Sequence, residues 1–179
     1  MLYYTNSDEA NELIFKDPLA LLIGFVLDQQ IPLQKAFMGP LVIEQRVGSL
    51  DPAVLAEADL DTVFREKPAI HRFPGAMAER VAELAAIVRD EYGGDAARVW
   101  TEAKDREDLR QRLAALPGFG EMKVRTLSGV LFKRFGVTVA EMPSAAHLTL
   151  GDVDSPESLV EYQTAKRAWK KSQRQAAAS

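Results

Sequence analysis

Residues 116–120, with the sequence Leu-Pro-Gly-Phe-Gly, constrain the fold more than any other segment of this chain. Segments with helical periodicity lie on both sides, at residues 105–115 and 121–136. The proline fixes its own φ angle, while the two glycines adopt positive φ angles or admit close contacts that a side chain would block. The pattern therefore predicts a helix-hairpin-helix unit with exposed main chain at its turn.

The helix predicted after Gly120 begins with N–H groups that no carbonyl of the same helix can satisfy. Together with the helix dipole, these groups favour a phosphate. Lys123 and Arg125 lie in the first turns and add positive charge. The same residues also fit an ordinary connection between two packed helices, so both interpretations are open on this segment alone.

The remaining patterns predict an all-α protein with a single domain over residues 1–179. Acid-proline or serine-proline pairs, which start helices, open the segments at residues 17–27, 51–55 and 155–165. The clearest apolar stripe runs from Met77 to Tyr92 and ends at two glycines. Residues 1–5 fit a short strand or a packed arm. Residues 137–154 lack a period and predict a loop, and the alanine-rich end of the last helix is expected to fray.

The absence of cysteine excludes disulfides, thiolate zinc sites and an iron-sulfur cluster. With only His71 and His147 as imidazole ligands, the sequence also gives no basis for a transition-metal site. No apolar run reaches the roughly 18 residues that a membrane helix needs, and the first residues do not have the pattern of a signal peptide. We expect a cytoplasmic protein, nucleoid-associated if bacterial, with no membrane partner.

Charge is distributed unevenly along the chain, whose formal net charge is −4. Acidic residues dominate residues 1–65, whereas the second hairpin helix and the tail at residues 166–179 are basic. Because phosphate neutralisation supplies most of the affinity of nucleic-acid binders, any such binding should be local and sensitive to salt. The acidic first third alone would also fit an interaction domain that binds no nucleic acid.

Two segments carry a resemblance to a known family. Residues 114–125 (AALPGFGEMKVR) resemble the hairpin of the helix-hairpin-helix (HhH-GPD) DNA glycosylase superfamily. Residues 25–36 (FVLDQQIPLQKA) resemble the Gln-Gln segment of its alkyladenine-type members that lack an iron-sulfur cluster. The resemblance implies a two-lobed helical fold and a monomer that acts in base excision repair. It would extrude a damaged base from double-stranded DNA and hydrolyse the N-glycosidic bond.

The resemblance also assigns roles to residues of the hairpin and of the Gln-Gln segment. The implied DNA contacts are Gly118, Phe119, Gly120, Lys123, Arg125, Gln29 and Gln30. The two glutamines would alternatively cap the preceding helix and satisfy loop backbone. In the family, hairpin carbonyls often share a monovalent cation, which here implies Na⁺ or K⁺ on the carbonyls of Ala114, Leu116 and Phe119, and no other cofactor.

The catalytic acid is the point at which the sequence departs from the family. The family's Asp falls in a window that holds Ala140, Glu141 and Met142 here, so Glu141 is the only carboxylate in it. The alternative candidates are Asp152, Asp154 and Asp28. Asp154 also fits the acidic start of the last helix. Asp28 would line the pocket or pair with Lys35 or Arg72.

Two further positions bear on the chemistry. Bifunctional relatives use a hairpin lysine as a Schiff-base nucleophile, and the ungapped equivalent here is Met122. Lys123 reaches that place only with a one-residue insertion and fits a phosphate contact better, so we predict a monofunctional enzyme. The alternative is a catalytically impaired DNA-binding or lesion-sensing protein.

His71 and Phe73 would line a base pocket, or belong to a packed loop between prolines.

Overall fold

The computed structural model describes residues 1–142 and 145–179, and within these ranges it contains ten α-helices, two short 3₁₀ helices and no β-strand. The all-α prediction is confirmed. The α-helices are α1 Asp8–Lys16, α2 Pro18–Leu27, α3 Leu33–Val47, α4 Pro52–Glu57, α5 Leu60–Arg65, α6 Pro74–Glu91, α7 Arg98–Thr101, α8 Arg106–Ala114, α9 Glu121–Phe135 and α10 Pro156–Ala178. The 3₁₀ helices span Thr138–Ala140 and Leu150–Asp152.

Helix α2 forms the centre of the core, because every residue from Leu19 to Leu27 is buried. The Asp17 carboxylate caps its first turn, and α1, α3 and α6 pack around it. Gly24 allows the closest of these contacts, since a Cβ there would lie 2.3 Å from a ring atom of Phe37. The helix ends at Leu27, so residues 28–30 emerge from the core at the surface.

The N-terminal residues form a packed arm and not a strand. Leu2 and Tyr4 are fully buried, and the Tyr4 hydroxyl donates a hydrogen bond to the Leu150 carbonyl at 3.2 Å. Asn11 on α1 accepts the N–H groups of Tyr4 and Thr5 through its side-chain oxygen. The sequence patterns gave no prediction for α1, which places this asparagine under the arm.

A guanidinium group fixes the loop that leads into α6. Arg46 on α3 donates hydrogen bonds of 2.9 Å to the carbonyls of Val63, Glu66 and Pro68. These contacts hold the turn of chain that precedes the first residue of α6, Pro74. The long helix α6, and the side chains on its outer face, are positioned in this way.

The hairpin unit has the predicted helices, with α8 capped by Asp105 and α9 ended by Gly136 in the left-handed conformation. Within the predicted loop of residues 137–154, the described residues form two 3₁₀ turns, while Pro143 and Ser144 lie outside the described residues. The last helix, α10, continues to Ala178, so the expected frayed end is helical instead. Over the two described ranges, no helix combines the length and the apolar content needed to cross a bilayer.

Candidate functional site

An open groove of about 510 Å³ lies beside the hairpin. The Gln-Gln segment, α6, the hairpin turn and the first turn of α9 all contribute to its wall, although they are distant in sequence. The lining residues are Gln29, Arg80, Ala114, Leu116, Gly118, Phe119, Gly120, Met122 and Lys123. The structure therefore brings the two segments singled out in the sequence, the hairpin and Gln29, to one surface.

The two hairpin glycines serve different purposes. Gly118 has φ of +77°, which favours glycine, and a Cβ there would lie 3.3 Å from Arg80 Cδ. Gly120 is extended, with φ of −80°, and a Cβ there would meet no atom within 4 Å. Both residues are exposed. Gly118 is thus required by the turn itself, whereas the fold places no steric demand on Gly120.

The start of α9 presents unsatisfied donors to the groove. The first hydrogen bond of the helix runs from the Val124 N–H to the Gly120 carbonyl at 3.0 Å. The N–H groups of Glu121, Met122 and Lys123 therefore have no carbonyl partner within the helix, and the N-cap glycine has no side chain to cap them. Such an end favours a negatively charged ligand.

Arg80 is a groove residue that the sequence analysis did not identify. Its Nη1 donates a hydrogen bond of 2.6 Å to Gln29 Oε1, while its aliphatic stem lies against Gly118. Arg80 therefore connects the Gln-Gln segment to the hairpin. The sequence feature that could have identified Arg80 is its position between Met77 and Val81, at the edge of the apolar stripe of α6. That position fits any surface arginine equally well.

Lys123 points into the wall of the groove and not into solvent. Its Nζ donates a hydrogen bond of 3.1 Å to the carbonyl of Val26. Burial lowers the pKa of Lys123 to about 8, although Asp28 nearby favours the charged form and so opposes this change. Arg80 contributes to the lowering through like-charge repulsion. The groove therefore contains two cationic side chains, one of which has a pKa of about 8.

None of the four candidate carboxylates lines the groove, and Asp28 comes nearest to it because it directly precedes the lining residue Gln29. It follows the last residue of α2 and is partly buried, which raises its pKa above the usual range. Lys166, Lys123 and Lys170 oppose the rise because their charges favour the carboxylate. The anticipated pairing with Lys35 or Arg72 is wrong, since the cations that act on Asp28 come from α9 and α10.

The other three carboxylates occupy different surroundings. Glu141 is exposed and follows the 3₁₀ turn Thr138–Ala140, and Asp154 is exposed at the start of α10. Asp152 lines a second cavity of about 430 Å³ and pairs with Lys133 at 2.6 Å. Burial of Asp152 raises its pKa, but hydrogen bonds from Lys133 and Thr149 outweigh this and the pKa falls. The structure does not bring these three acids to the groove.

The base pocket predicted at His71 and Phe73 is wrong for His71. The ring of His71 is 1% exposed, its Nε2 donates to the Leu27 carbonyl at 3.0 Å, and its Nδ1 accepts the Phe73 N–H at 2.9 Å. Burial lowers the pKa of His71, which suits the neutral tautomer that these two bonds require. Phe73 is partly exposed under the Arg72 guanidinium, and neither residue lines the groove. The packed-loop alternative describes this segment correctly.

The remaining predicted contacts lie at or near the groove. Gln30 and Arg125 are exposed, and Gln30 has φ of +57°. The three residues whose carbonyls would share a cation, Ala114, Leu116 and Phe119, all line the wall. The Leu116 carbonyl already accepts the Phe119 N–H at 3.2 Å, and its second lone pair leaves room for an ion. Among the described residues, no group of three or more His, Cys, Asp or Glu side chains is placed to hold a metal ion.

Met122 gives the groove its most exposed apolar side chain, at 73% exposure. Together with the donors at the start of α9, it makes the groove suited to a ligand that has both an anionic part and an apolar face. Comparison with known proteins gave no match among family models, curated proteins or solved structures.

Proposed function

We propose that the protein is a DNA glycosylase-like repair protein with the two-lobed HhH-GPD architecture, which binds duplex DNA that carries a damaged base. The observation that carries this proposal is the convergence of bare hairpin backbone, Arg80 and Lys123 on one open groove, with Asp28 directly before the lining residue Gln29. The backbone donors and the two cations suit a polyanion, and the neighbouring carboxylate suits cleavage of a glycosidic bond in that polyanion.

The DNA backbone would contact the hairpin side of the groove. A phosphate would accept hydrogen bonds from the free N–H groups at the start of α9, with Arg125 outside and Lys123 at the wall. A monovalent cation on the carbonyls of Ala114, Leu116 and Phe119 would add positive charge at the same strand. Met122 would then contact the extruded base through its apolar side chain.

Asp28 is the carboxylate that we assign to the chemical step. Its partial burial and the lysines around it give a charged group in surroundings of low polarity, where electrostatic stabilisation is strong. As the carboxylate, it would stabilise an oxocarbenium-like sugar or accept a proton from the attacking water. The products would be a free base and an abasic site, without a covalent protein intermediate.

The direct test is abasic-site formation on duplexes that contain alkylated, deaminated or oxidised bases. We expect product on at least one of them, and we expect Asp28→Asn to lower turnover about 100-fold or more with unchanged affinity. Asp154→Asn is the matched control, since it makes the same change at an exposed carboxylate away from the groove. Equal turnover in wild type and Asp28→Asn would contradict the assignment.

Borohydride trapping tests the monofunctional assignment. A pKa of about 8 leaves a substantial neutral fraction of the Lys123 amine at slightly alkaline pH, which is the form that attacks an aldehyde. We nevertheless expect no covalent adduct, because the amine donates to the Val26 carbonyl and its charge serves the backbone contact. A trapped adduct that disappears in Lys123→Arg would show a lyase activity instead.

The second candidate is a lesion-sensing protein that binds damaged DNA without excising a base. The position of Glu141, Asp152 and Asp154 away from the groove favours it, because three of the four possible acids are then out of reach. Tight binding to a lesion duplex with no product on any substrate would select this function. Absence of binding even at low salt would overturn both candidates.

A further inference from the structure

Helix α10 changes character along its length. Leu159 and Tyr162, near its start, are buried against the domain, whereas every residue from 166 to 179 is exposed. Those 14 residues contain five lysines and arginines and no acid. The helix therefore continues beyond its packed portion as a basic segment that still has regular structure through Ala178.

The side of α10 that packs on the domain at Leu159 and Tyr162 carries Lys166 and Lys170 further along the helix, and we call this part the lysine face. Leu159, Tyr162, Lys166 and Lys170 follow one another at intervals of three or four residues, so they share one side of the helix. A pair of hydrogen bonds of 3.1 and 3.2 Å between the amides of Gln34 and Gln163 fixes the rotation of α10 against the start of α3. Lys166 and Lys170 consequently face back toward the surface of the domain.

That surface includes Asp28, at the end of α2. Lys166 and Lys170 are two of the three cations that act on Asp28, and the third is Lys123 in the groove wall. Asp28 directly precedes Gln29, which also lines the groove. The lysine face of α10 and Lys123 in the groove wall therefore act on the same acid.

None of the five basic side chains on this part of α10 forms an ion pair at contact distance with a carboxylate of the described residues. Across the described residues, eight of the 22 lysines and arginines form ion pairs, and all eight lie in other elements. A partner helix or an apolar protein surface would require apolar residues where the face carries Lys166 and Lys170. An extended anion, by contrast, complements a row of unpaired cations about 6 Å apart.

We propose that this lysine face is a second contact to the DNA backbone, which holds the duplex that flanks the nucleotide in the groove. The inference rests on the proposed function and adds to it the place where the flanking duplex lies. Lys166 and Lys170 would each neutralise a phosphate, so α10 contributes affinity that is independent of the lesion.

The chain provides a matched control on the same helix. Arg167 and Lys171 are also exposed and unpaired, but Arg167 lies about 100° around the helix from Lys166, and Lys171 about 100° from Lys170. The double variant Lys166→Gln/Lys170→Gln and the double variant Arg167→Gln/Lys171→Gln remove the same net charge. A general electrostatic effect would weaken both equally, while a contact through the lysine face weakens only the first.

The measurement is the affinity for a lesion duplex at a series of salt concentrations, with circular dichroism to verify the fold. For Lys166→Gln/Lys170→Gln we expect about tenfold weaker binding at low salt and a slope of log affinity against log salt smaller by about 2. For Arg167→Gln/Lys171→Gln we expect the wild-type slope. Equal losses in the two variants, or no loss in either, would overturn the proposal.

A third variant separates the failure of this inference from failure of the proposed function. Arg80→Gln removes a cation from the groove itself and should weaken binding whatever α10 does. If wild type binds and only Arg80→Gln is impaired, the groove binds DNA and the inference about α10 is wrong. If wild type does not bind duplex DNA at all, the proposed function fails and the inference fails with it.

Discussion

The two ends of α9 satisfy their polar groups in opposite ways. Toward the C-terminal end, Lys133 pairs with Asp152, and Gly151 packs closely against the carbonyl group of Gly129 on the helix. At the N-terminal end, the first N–H groups lack helical partners, Lys123 bonds only a backbone carbonyl, and Gly120 faces open space. One end is closed by packing and charge pairing, while the other is left open.

We interpret this difference as a division of roles between the two ends of α9. The C-terminal end contributes to the stability of the fold, and the N-terminal end is open to a ligand. A side-chain N-cap stabilises the starts of α2, capped by Asp17, and α8, capped by Asp105, whereas α3, α6 and α9 have none. Gly120 gives up that stabilisation at the one helix start that borders the groove. The unsatisfied groups are therefore those that a ligand would satisfy.

The largest expected effect is on the closed end. A Cβ at Gly151 would lie 2.7 Å from the Gly129 carbonyl oxygen, which is backbone and cannot rotate away. We therefore expect Gly151→Ala to lower the free energy of unfolding by about 1–3 kcal/mol in chemical denaturation. Gly129→Ala is the control, because a Cβ there meets nothing within 4 Å and alanine favours the helix. Similar destabilisation by both substitutions would refute this account of the contact.

The next largest effect concerns the open end and has opposite signs for stability and for binding. Gly120→Ser supplies the missing N-cap, so we expect a free energy of unfolding that is unchanged or higher by a few tenths of a kcal/mol. The same hydroxyl would occupy the N–H groups that the phosphate needs, and DNA affinity should fall about tenfold, or about 1.4 kcal/mol. Fluorescence anisotropy with a labelled lesion duplex measures this, and Gly129→Ala should bind as wild type does. Unchanged affinity in a correctly folded Gly120→Ser would separate the hairpin from DNA binding.

A smaller effect follows from the pKa of Lys123, which burial lowers from 10.5 to about 8. Below pH 8 the amine is protonated in both the folded and the unfolded states. Between pH 8 and 10.5 the unfolded state binds more protons, so the stability of the wild type should rise with pH. Lys123→Met should lose this rise, whereas Lys133→Met should retain it. Denaturant midpoints at pH 7.5 and pH 10 test the comparison.

DNA affinity should respond to the same titration in the other direction. If the protonated Lys123 amine serves the phosphate contact, affinity falls as the pH rises above 8, by less than tenfold. Lys123→Arg stays charged throughout this range and should bind with little dependence on pH. A wild-type pH profile that matched that of Lys123→Arg would remove Lys123 from the interface.

The smallest expected effect comes from the ion pair at the closed end. Lys133 and Asp152 are each about one third exposed, so water screens their interaction. Lys133→Gln should therefore cost only about 0.2–1 kcal/mol of stability in chemical denaturation. It should leave DNA affinity unchanged, because the pair lines the second cavity and not the groove. A clear loss of DNA affinity in this variant would extend the interface to the far end of α9.

The site was predictable from the sequence in part. The hairpin and Gln29 carry local signals, namely glycines, a proline and paired amides, and they do line the groove. Arg80 and the Val26 carbonyl carry no such signal, since an arginine at the edge of a helical stripe and a backbone oxygen occur throughout any helical protein. Whether Asp28 or Glu141 would lie nearer the groove was likewise open, because spacing along the chain does not fix distance across the fold.

What the sequence alone determined is most of the helices and their ends, α1 and the end of α10 excepted, because proline and acidic caps, apolar stripes and terminal glycines act within a few residues of one another. What only the tertiary structure decided is which ends meet. The burial of α2 fixes where Asp28 and Gln29 emerge, and the packing of α6 against α2 brings Arg80 to Gln29. The bond from Lys123 to the Val26 carbonyl brings the start of α9 to the same place. Such contacts join residues 50 to 100 positions apart, as in the bonds of Arg80 to Gln29 and Lys123 to Val26, and depend on the whole core.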